Sequence, residues 1–240
     1  MTQAQALTLP AHIHGYPQIV FGGYLAGLLA ERSGADTVRV DFRRPVMVGT
    51  PILLSRPEHG HAICTATDDT LLVEATPTTL ALDPPPAPSW AAAKSAVELS
   101  LSGDRTVTDC YGCGLACEPG LGLRLFPSEL PGHQQMAATW TPDARLADES
   151  GELPPEVVWS ALDCPGGRAA FVFSHMRGGA FTAALSATLL RPVYAGNDYI
   201  SHAWVIAREG RKHTVGVALS TADGDLCAVS EALWIEPRQD

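Results

Sequence analysis

Two kinds of apolar pattern share this chain. Short runs in which Val, Ile, Thr and aromatic residues alternate with polar ones read as strands with one buried face. The first group comprises a strand–turn–strand over Val38–Gly49, then Pro51–Ser55, Gly60–Thr67 and Leu71–Leu82. The second comprises Leu185–Gly196, Asp198–Arg208, His213–Thr221 and Leu226–Glu236. Turn residues divide them: Pro57–Gly60 and Asp68–Asp69 in the first group, Glu209–Gly210 and Ala222–Asp225 in the second. Upstream of each group lies a longer, glycine-marked apolar stretch, Phe21–Ser33 and Glu156–Phe173, which reads as a buried helix. A weak leading strand is expected near Ala6–Leu9 and another near Leu121–Phe126.

The two halves share a marker. Arg44-Pro45-Val46 precedes Gly49 as Arg191-Pro192-Val193 precedes Gly196, and the offset is 147 residues at both ends. Helix, turn and strands follow in the same order, so a divergent internal repeat is expected. Between the halves, Asp83–Ser89 holds four prolines, which join neither a sheet nor a helix interior. Trp90–Leu101 reads as a short crossing helix. The expected organisation is one α+β unit over residues 1–83, linker and helix over 84–104, and a second unit over 105–240.

A long helix wrapped by an antiparallel sheet, twice over, resembles the hot-dog superfamily. The most specific stretch is His14–Glu31, HGYPQIVFGGYLAGLLAE. It is similar to the acyl-CoA thioesterase pattern in which Gly-aromatic-Pro-x-x-Val-His-Gly-Gly opens the helix and Leu-Asp-Glu follows. A second stretch, Cys110–Leu125, CYGCGLACEPGLGLRL, resembles a Cys-x-x-Cys-Gly lead-in of the same group. The resemblance implies a double hot-dog, two tandem units each with a central helix wrapped by an antiparallel sheet, acting on acyl thioesters. It also implies that one site takes its helix-start glycine from one unit and its carboxylate from the facing unit.

The charge balance narrows the partners. A formal net charge of −10 argues against a nucleic-acid face and against an anionic membrane surface. No run of about 18 apolar residues suggests a membrane span, and residues 1–10 carry no secretory pattern. A cytoplasmic location with six reduced cysteines is the expectation.

The candidate chemistry lies at two helix positions. Gly22 and Gly23 open the first helix, where N–H groups lack intrahelical partners and no Cβ bars a ligand. They suit a polarised thioester carbonyl, or equally close helix packing. Asp163 interrupts an apolar helix, where a carboxylate is costly unless paired or used. Pro165 should kink the helix beside it, and the structural alternative for Asp163 is a carboxylate that caps the broken helix or pairs with Arg168. Set against the family pattern, the first half keeps its glycines but has Ala30 at the acid position and Phe21 at the histidine position. The second half keeps Asp163 but has Pro154-Pro155-Glu156 where glycines would stand. One composite site, Gly22/Gly23 against Asp163, is therefore expected, with Asp163 as nucleophile or as general base.

His14, Tyr16 and Gln18 precede the first helix and are candidate substrate contacts, with surface turn roles as the alternative. Phe21, Tyr24, Trp159 and Phe171 are candidate pocket-lining groups, and Ser160 neighbours Trp159 on the acid's helix. Ser174–Ala180 reads as a flexible insertion that either gates the site or merely turns the chain. Asp198 and His202 suggest hydratase chemistry, but four residues along a strand set them about 13 Å apart. Cys110, Cys113 and Cys117 form one knuckle, with His133 or Cys164 as a fourth ligand; zinc usually takes two knuckles, so no metal is expected. No cofactor is expected beyond coenzyme A as part of the substrate. The readings are thioester hydrolysis on acyl-CoA or an acyl carrier, non-catalytic acyl-CoA binding, and hydratase or dehydratase action. A homodimer of the double unit is possible, since such units stack.

Overall fold

The structure, a computed structural model, describes residues 4–102 and 109–238. The first half runs β1 (Gln5–Thr8), α1 (Gly22–Ser33), β2 (Thr37–Phe42), β3 (Pro51–Ser55), β4 (Ala62–Ala66) and β5 (Leu71–Pro77). After 78–89, which carries no helix or strand, comes α2 (Trp90–Leu101). The second half runs β6 (Ser128–Glu129), β7 (Met136–Trp140), α3 (Pro155–Ser160), α4 (Cys164–Phe173), β8 (Phe181–Leu189), β9 (Tyr199–Glu209), β10 (Lys212–Thr221) and β11 (Leu226–Ile235).

All the strands named join one sheet in the order β1-β3-β4-β5-β2-β8-β11-β10-β9-β7-β6. Its seam is the antiparallel pair β2–β8, in register from Thr37 opposite Thr188 to Asp41 opposite Ala184. The Thr37 and Thr188 hydroxyls hydrogen-bond across it at 2.8 Å. Outward from the seam, one side reads β2, β5, β4, β3, β1 and the other β8, β11, β10, β9, β7. Each pairing is antiparallel on both sides. The strands alternate as their sequences demand: in β3, Ile52 and Leu54 are buried between more exposed neighbours.

Helices α1, α3 and α4 pack in the main core, where α1 meets α3, while Ala93 of α2 packs with Ala137 and Ile200 in a separate cluster. Leu25, Ala26 and Leu29 of α1 are fully buried, and each leucine contributes about 2 kcal/mol by leaving water. The helix stops at Gly34, whose φ of 71° lets its N–H cap the Ala30 and Glu31 carbonyls. Two glycines allow α1 to touch α3 backbone to backbone. A Cβ on Gly23 would stand 2.8 Å from the Ser160 Cα, and one on Gly27 only 2.3 Å from the Glu156 Cα. Contacts that move from Ser160 back to Glu156 as α1 advances from Gly23 to Gly27 make the crossing antiparallel.

The second helix breaks where the sequence said it would. Pro165 lacks the N–H that would bond the Ala161 carbonyl, and α3 ends at Ser160 while α4 starts at Cys164. Two buried serines from the sheet supply the missing donors. Ser201 of β9 donates to the Ala161 carbonyl at 3.3 Å, and Ser230 of β11 to the Leu162 carbonyl at 3.5 Å. The break is therefore anchored to the sheet, with Asp163 at its apex.

Three expectations change. Leu121–Phe126 is not the leading strand of the second half; β7, Met136–Trp140, takes that edge beside β9. The Leu123 and Leu125 N–H groups bond instead to the Tyr111 and Gly112 carbonyls, and Arg124 has φ 54°. Ser174–Ala180 is no loose gate, since Ser174, Met176 and Ala180 are buried and Arg177 pairs with Glu236. Asp163 does not pair with Arg168, which stacks over Phe171. The boundary expected at 104/105 lies outside the described residues. No helix among the described residues is long and apolar enough to cross a membrane.

Candidate functional site

Asp163 belongs to the second half, yet one of its partners comes from the first. The Gly23 N–H donates to its Oδ2 at 2.8 Å, and the Thr182 hydroxyl donates to its Oδ1 at 2.9 Å. Gly22 sits against the same carboxylate, since a Cβ there would lie 3.1 Å from Oδ2. The close crossing of α1 and α3 makes this possible: only because Gly23 has no side chain can its amide reach the apex of the broken helix.

Burial and hydrogen bonding oppose each other at this carboxyl. Asp163 is 3% exposed, and desolvation raises its pKa to about 6. Thr182 and Gly23 pull it back down, while the nearby Cys110 adds a smaller upward push. Each carboxylate oxygen has one protein donor and a second lone pair left over. Tyr16 lies close by; burial first, then the Asp163 charge, raises its phenol pKa. Its hydroxyl donates to the Ala180 carbonyl at 2.6 Å and its ring meets Phe181 at 4.8 Å, one residue before Thr182.

The remaining sequence candidates divide between this neighbourhood and elsewhere. Phe21 is buried at the residue before α1 and packs on Tyr111 at 5.7 Å; Tyr24 meets Tyr111 edge-on at 5.6 Å. Burial and Glu156 push the Tyr24 phenol up to about 12. Trp159 is buried core, and Ser160, also buried, donates its hydroxyl to the Glu156 carbonyl. His14 bonds the Ala11 carbonyl and pairs with Asp109, so its ring faces the Cys110 loop. Gln18 is exposed at φ 64° in the turn before α1. Phe171 is half-exposed under Arg168. Asp198 and His202 are not brought together: Asp198 accepts from Thr141, while His202 is buried against the Pro85 carbonyl.

One feature escaped the sequence reading, and the thiol group it considered has a different third member. Thr182 is 19 residues beyond Asp163, at the start of β8, and no spacing signal marks it. Cys110, Cys113 and Cys164 place their sulfur atoms within 4.8 Å of one another beside Asp163, whereas Cys117 turns away to the Asp109 and Cys110 carbonyls. Hydrogen bonding with its neighbour Cys113, ahead of burial, holds the Cys110 thiol up at about 12, and contact with Cys110 and Cys113 holds Cys164 well above its ordinary value. A groove of about 680 Å³ between Pro86–Ser89, α2 and Leu130–Gln135 is lined by none of the residues around Asp163.

No family model matches the sequence, and no curated protein does. Solved structures do match the fold. A tesB protein of Mycobacterium avium subspecies paratuberculosis superposes with a TM-score of 0.65 at 16% identity, covering 97% of this chain and 92% of that one. A protein of Alicyclobacillus acidocaldarius described as having a hot-dog fold gives 0.61 at 13%, covering 98% and 93%. An acyl-CoA thioesterase II from Mycobacterium marinum gives 0.54 at 12%, covering 91% of each chain. The chain has the hot-dog fold of these structures over nearly its whole length.

Proposed function

We propose that this chain is a thioester hydrolase built from two hot-dog units, with one composite site at Asp163. The observation that carries the reading is the 2.8 Å hydrogen bond from Gly23, on the first unit's helix, to the carboxylate of the second unit's broken helix. A buried acid held by donors from both halves is suited to reaction chemistry, because its orientation is fixed and its charge is only partly neutralised. The matched order of strands on either side of the seam supports two units, and a solved structure named as an acyl-CoA thioesterase II superposes over 91% of each chain.

The geometry divides the labour. Gly23 and Thr182 lock the carboxylate by one oxygen each, which leaves a lone pair on each for an incoming water or thioester carbon. The Gly23 amide is therefore occupied, and the carbonyl oxygen of a thioester falls to the neighbouring Gly22 N–H at the helix start. Asp163 then takes the proton from water attacking the carbonyl, or attacks the carbonyl itself; the thiolate of coenzyme A or of an acyl carrier leaves. Tyr16 and Phe181 form the half-exposed apolar cover beside Thr182, where an acyl chain would enter. No cofactor enters these steps.

Asp163→Asn tests this directly. The amide is isosteric, its oxygen still accepts from Gly23, and the Thr182 hydroxyl can turn to accept from its NH2 group. Hydrolysis of a panel of acyl-CoA thioesters should fall about 10²- to 10⁴-fold with the melting temperature nearly kept. Undiminished hydrolysis by the variant would end the assignment. The burial of Asp163 favours one second reading, an acyl-CoA-binding protein without turnover. Saturable acyl-CoA binding with no thiol release from wild-type protein would establish it.

A further inference from the structure

We propose that Cys110, Cys113 and Cys164 bind one thiophilic metal ion, Zn²⁺, through three thiolates, leaving the fourth coordination position open to water or an outside ligand. The proposal is independent of the hydrolase reading.

The sulfur geometry comes first. Thiolates bound to zinc at about 2.3 Å in a tetrahedral arrangement stand roughly 3.8 Å apart. Cys110 and Cys164 are 3.7 Å apart, and all three sulfur atoms fall within 4.8 Å of each other. None is joined in a disulfide. Three protein ligands with a fourth position free is the arrangement of an open zinc site rather than a closed structural one.

The surroundings are built for the same cluster. Cys110 and Cys113 lie on a tight turn, closed by the Gly114 N–H on the Cys110 carbonyl at 2.7 Å. The turn is pinned from outside by the Tyr111 N–H on the His14 carbonyl and by Arg124 on the Leu115 and Cys117 carbonyls. Gly112 between the two cysteines is required: a Cβ there would stand 2.7 Å from the Cys164 sulfur and 2.8 Å from the Phe21 ring. Cys164 is the first residue of the ten-residue helix α4, where unpaired N–H groups and the helix dipole favour a thiolate. Cys113 and Cys164 are only partly buried, so an ion has a way in, while Cys110 closes the inner side.

Binding would displace three thiol protons and place one divalent cation among three anionic sulfurs, a group of net charge −1 held by direct metal–sulfur bonds. Soft thiolate ligands select zinc or copper(I) over calcium, magnesium and manganese. Because Cys164 follows Asp163 directly, the ion would also tie the loop after the linker to the apex of the broken helix.

The test is metal content and spectroscopy on the full chain, prepared anaerobically from cells grown with added zinc. Elemental analysis should find about one Zn²⁺ per chain in wild type. It should find little in Cys113→Ser and Cys164→Ser, and wild-type content in Cys227→Ser, whose thiol is elsewhere. Cobalt(II) exchanged into wild type should give a near-ultraviolet sulfur-to-metal charge-transfer band, absent from both cluster variants. If a cluster variant folds poorly, the wild-type arm of the cobalt experiment still keeps the question open to refutation. Wild type that holds no zinc or copper above the variants and gives no cobalt band would overturn the proposal. So would a Cys110–Cys164 disulfide in the anaerobic protein, or full metal content in Cys113→Ser.

Discussion

The helices of the two halves face each other across one crossing and are built to opposite ends. Helix α1 is continuous, lined with Gly23 and Gly27, and carries Ala30 late in its run. Its opposite number is split at Asp163, begins with two prolines, and is rescued by Ser201 and Ser230. The first gives up side chains so that its backbone can approach; the second gives up backbone continuity so that a carboxylate can sit inside the protein. Neither device works alone. A buried carboxylate is tolerated only where donors meet it, and a glycine-lined helix gains from closeness only where something waits to be met.

The contrast predicts what happens when the devices are exchanged. Ala30→Asp would put an acid at the matching place on α1, 7% exposed and without the donors that meet Asp163. An uncompensated buried charge costs about 3–5 kcal/mol, so chemical denaturation should show a loss of that size and no gain in hydrolysis. A neutral outcome would mean that the two helices are not distinguished by their donors. Gly27→Ala attacks the crossing instead. Its Cβ must displace the Glu156 backbone, and overpacking of this kind costs about 1–3 kcal/mol. The same change at Gly132, where nothing lies within 4 Å, meets no neighbour; although φ there is 78°, it should cost less in a thermal melt.

Thr182→Val removes one of the two side-chain and backbone donors on Asp163 and keeps the shape of the strand. A hydrogen bond to a charged group contributes about 1.5–3 kcal/mol, so acyl-CoA hydrolysis should drop roughly ten- to a hundredfold. Little change would assign the carboxylate's orientation to Gly23 alone.

The smallest effect concerns how the two helices end. Helix α1 closes on Gly34, whereas α4 closes on Ser174 and a buried chain of hydrogen bonds through His213 to Glu236. The Arg177 backbone N–H and then its guanidinium, helped by His213, hold the Glu236 carboxyl down at about 2. A carboxyl lowered in the folded state adds stability above its unfolded pKa of about 4.3 and loses it as pH falls toward 2. The difference in melting temperature between wild type and Glu236→Gln should therefore be full at neutral pH and shrink through that window. A difference constant with pH would show that Glu236 acts by packing alone.

Much of this was legible in the chain. Alternation located β1 to β5 and β8 to β11 approximately but missed β6 and β7, Trp90–Leu101 read as the helix it is, and Pro165 announced the break. These are local properties: pleat, periodicity and a missing N–H act over a few residues and leave their mark in consecutive letters. Misreadings came where tertiary contacts outweighed local pattern. Leu121–Phe126 has the apolar letters of a strand, but the Cys110–Cys113 turn claims its N–H groups. Ser174–Ala180 has the glycines of a loose loop, but Glu236 and Tyr16 hold it.

By itself, the sequence determined which residues were abnormal for their place: an acid in an apolar helix, a glycine pair at a helix start, a knuckle of thiols. Only the tertiary structure decided what each abnormal residue meets. Gly23 and Asp163 are 140 residues apart and Cys110 and Cys164 are 54 apart. The approach of such groups is set by how a whole sheet brings two helices together, a sum of many weak contacts that no single stretch of sequence encodes.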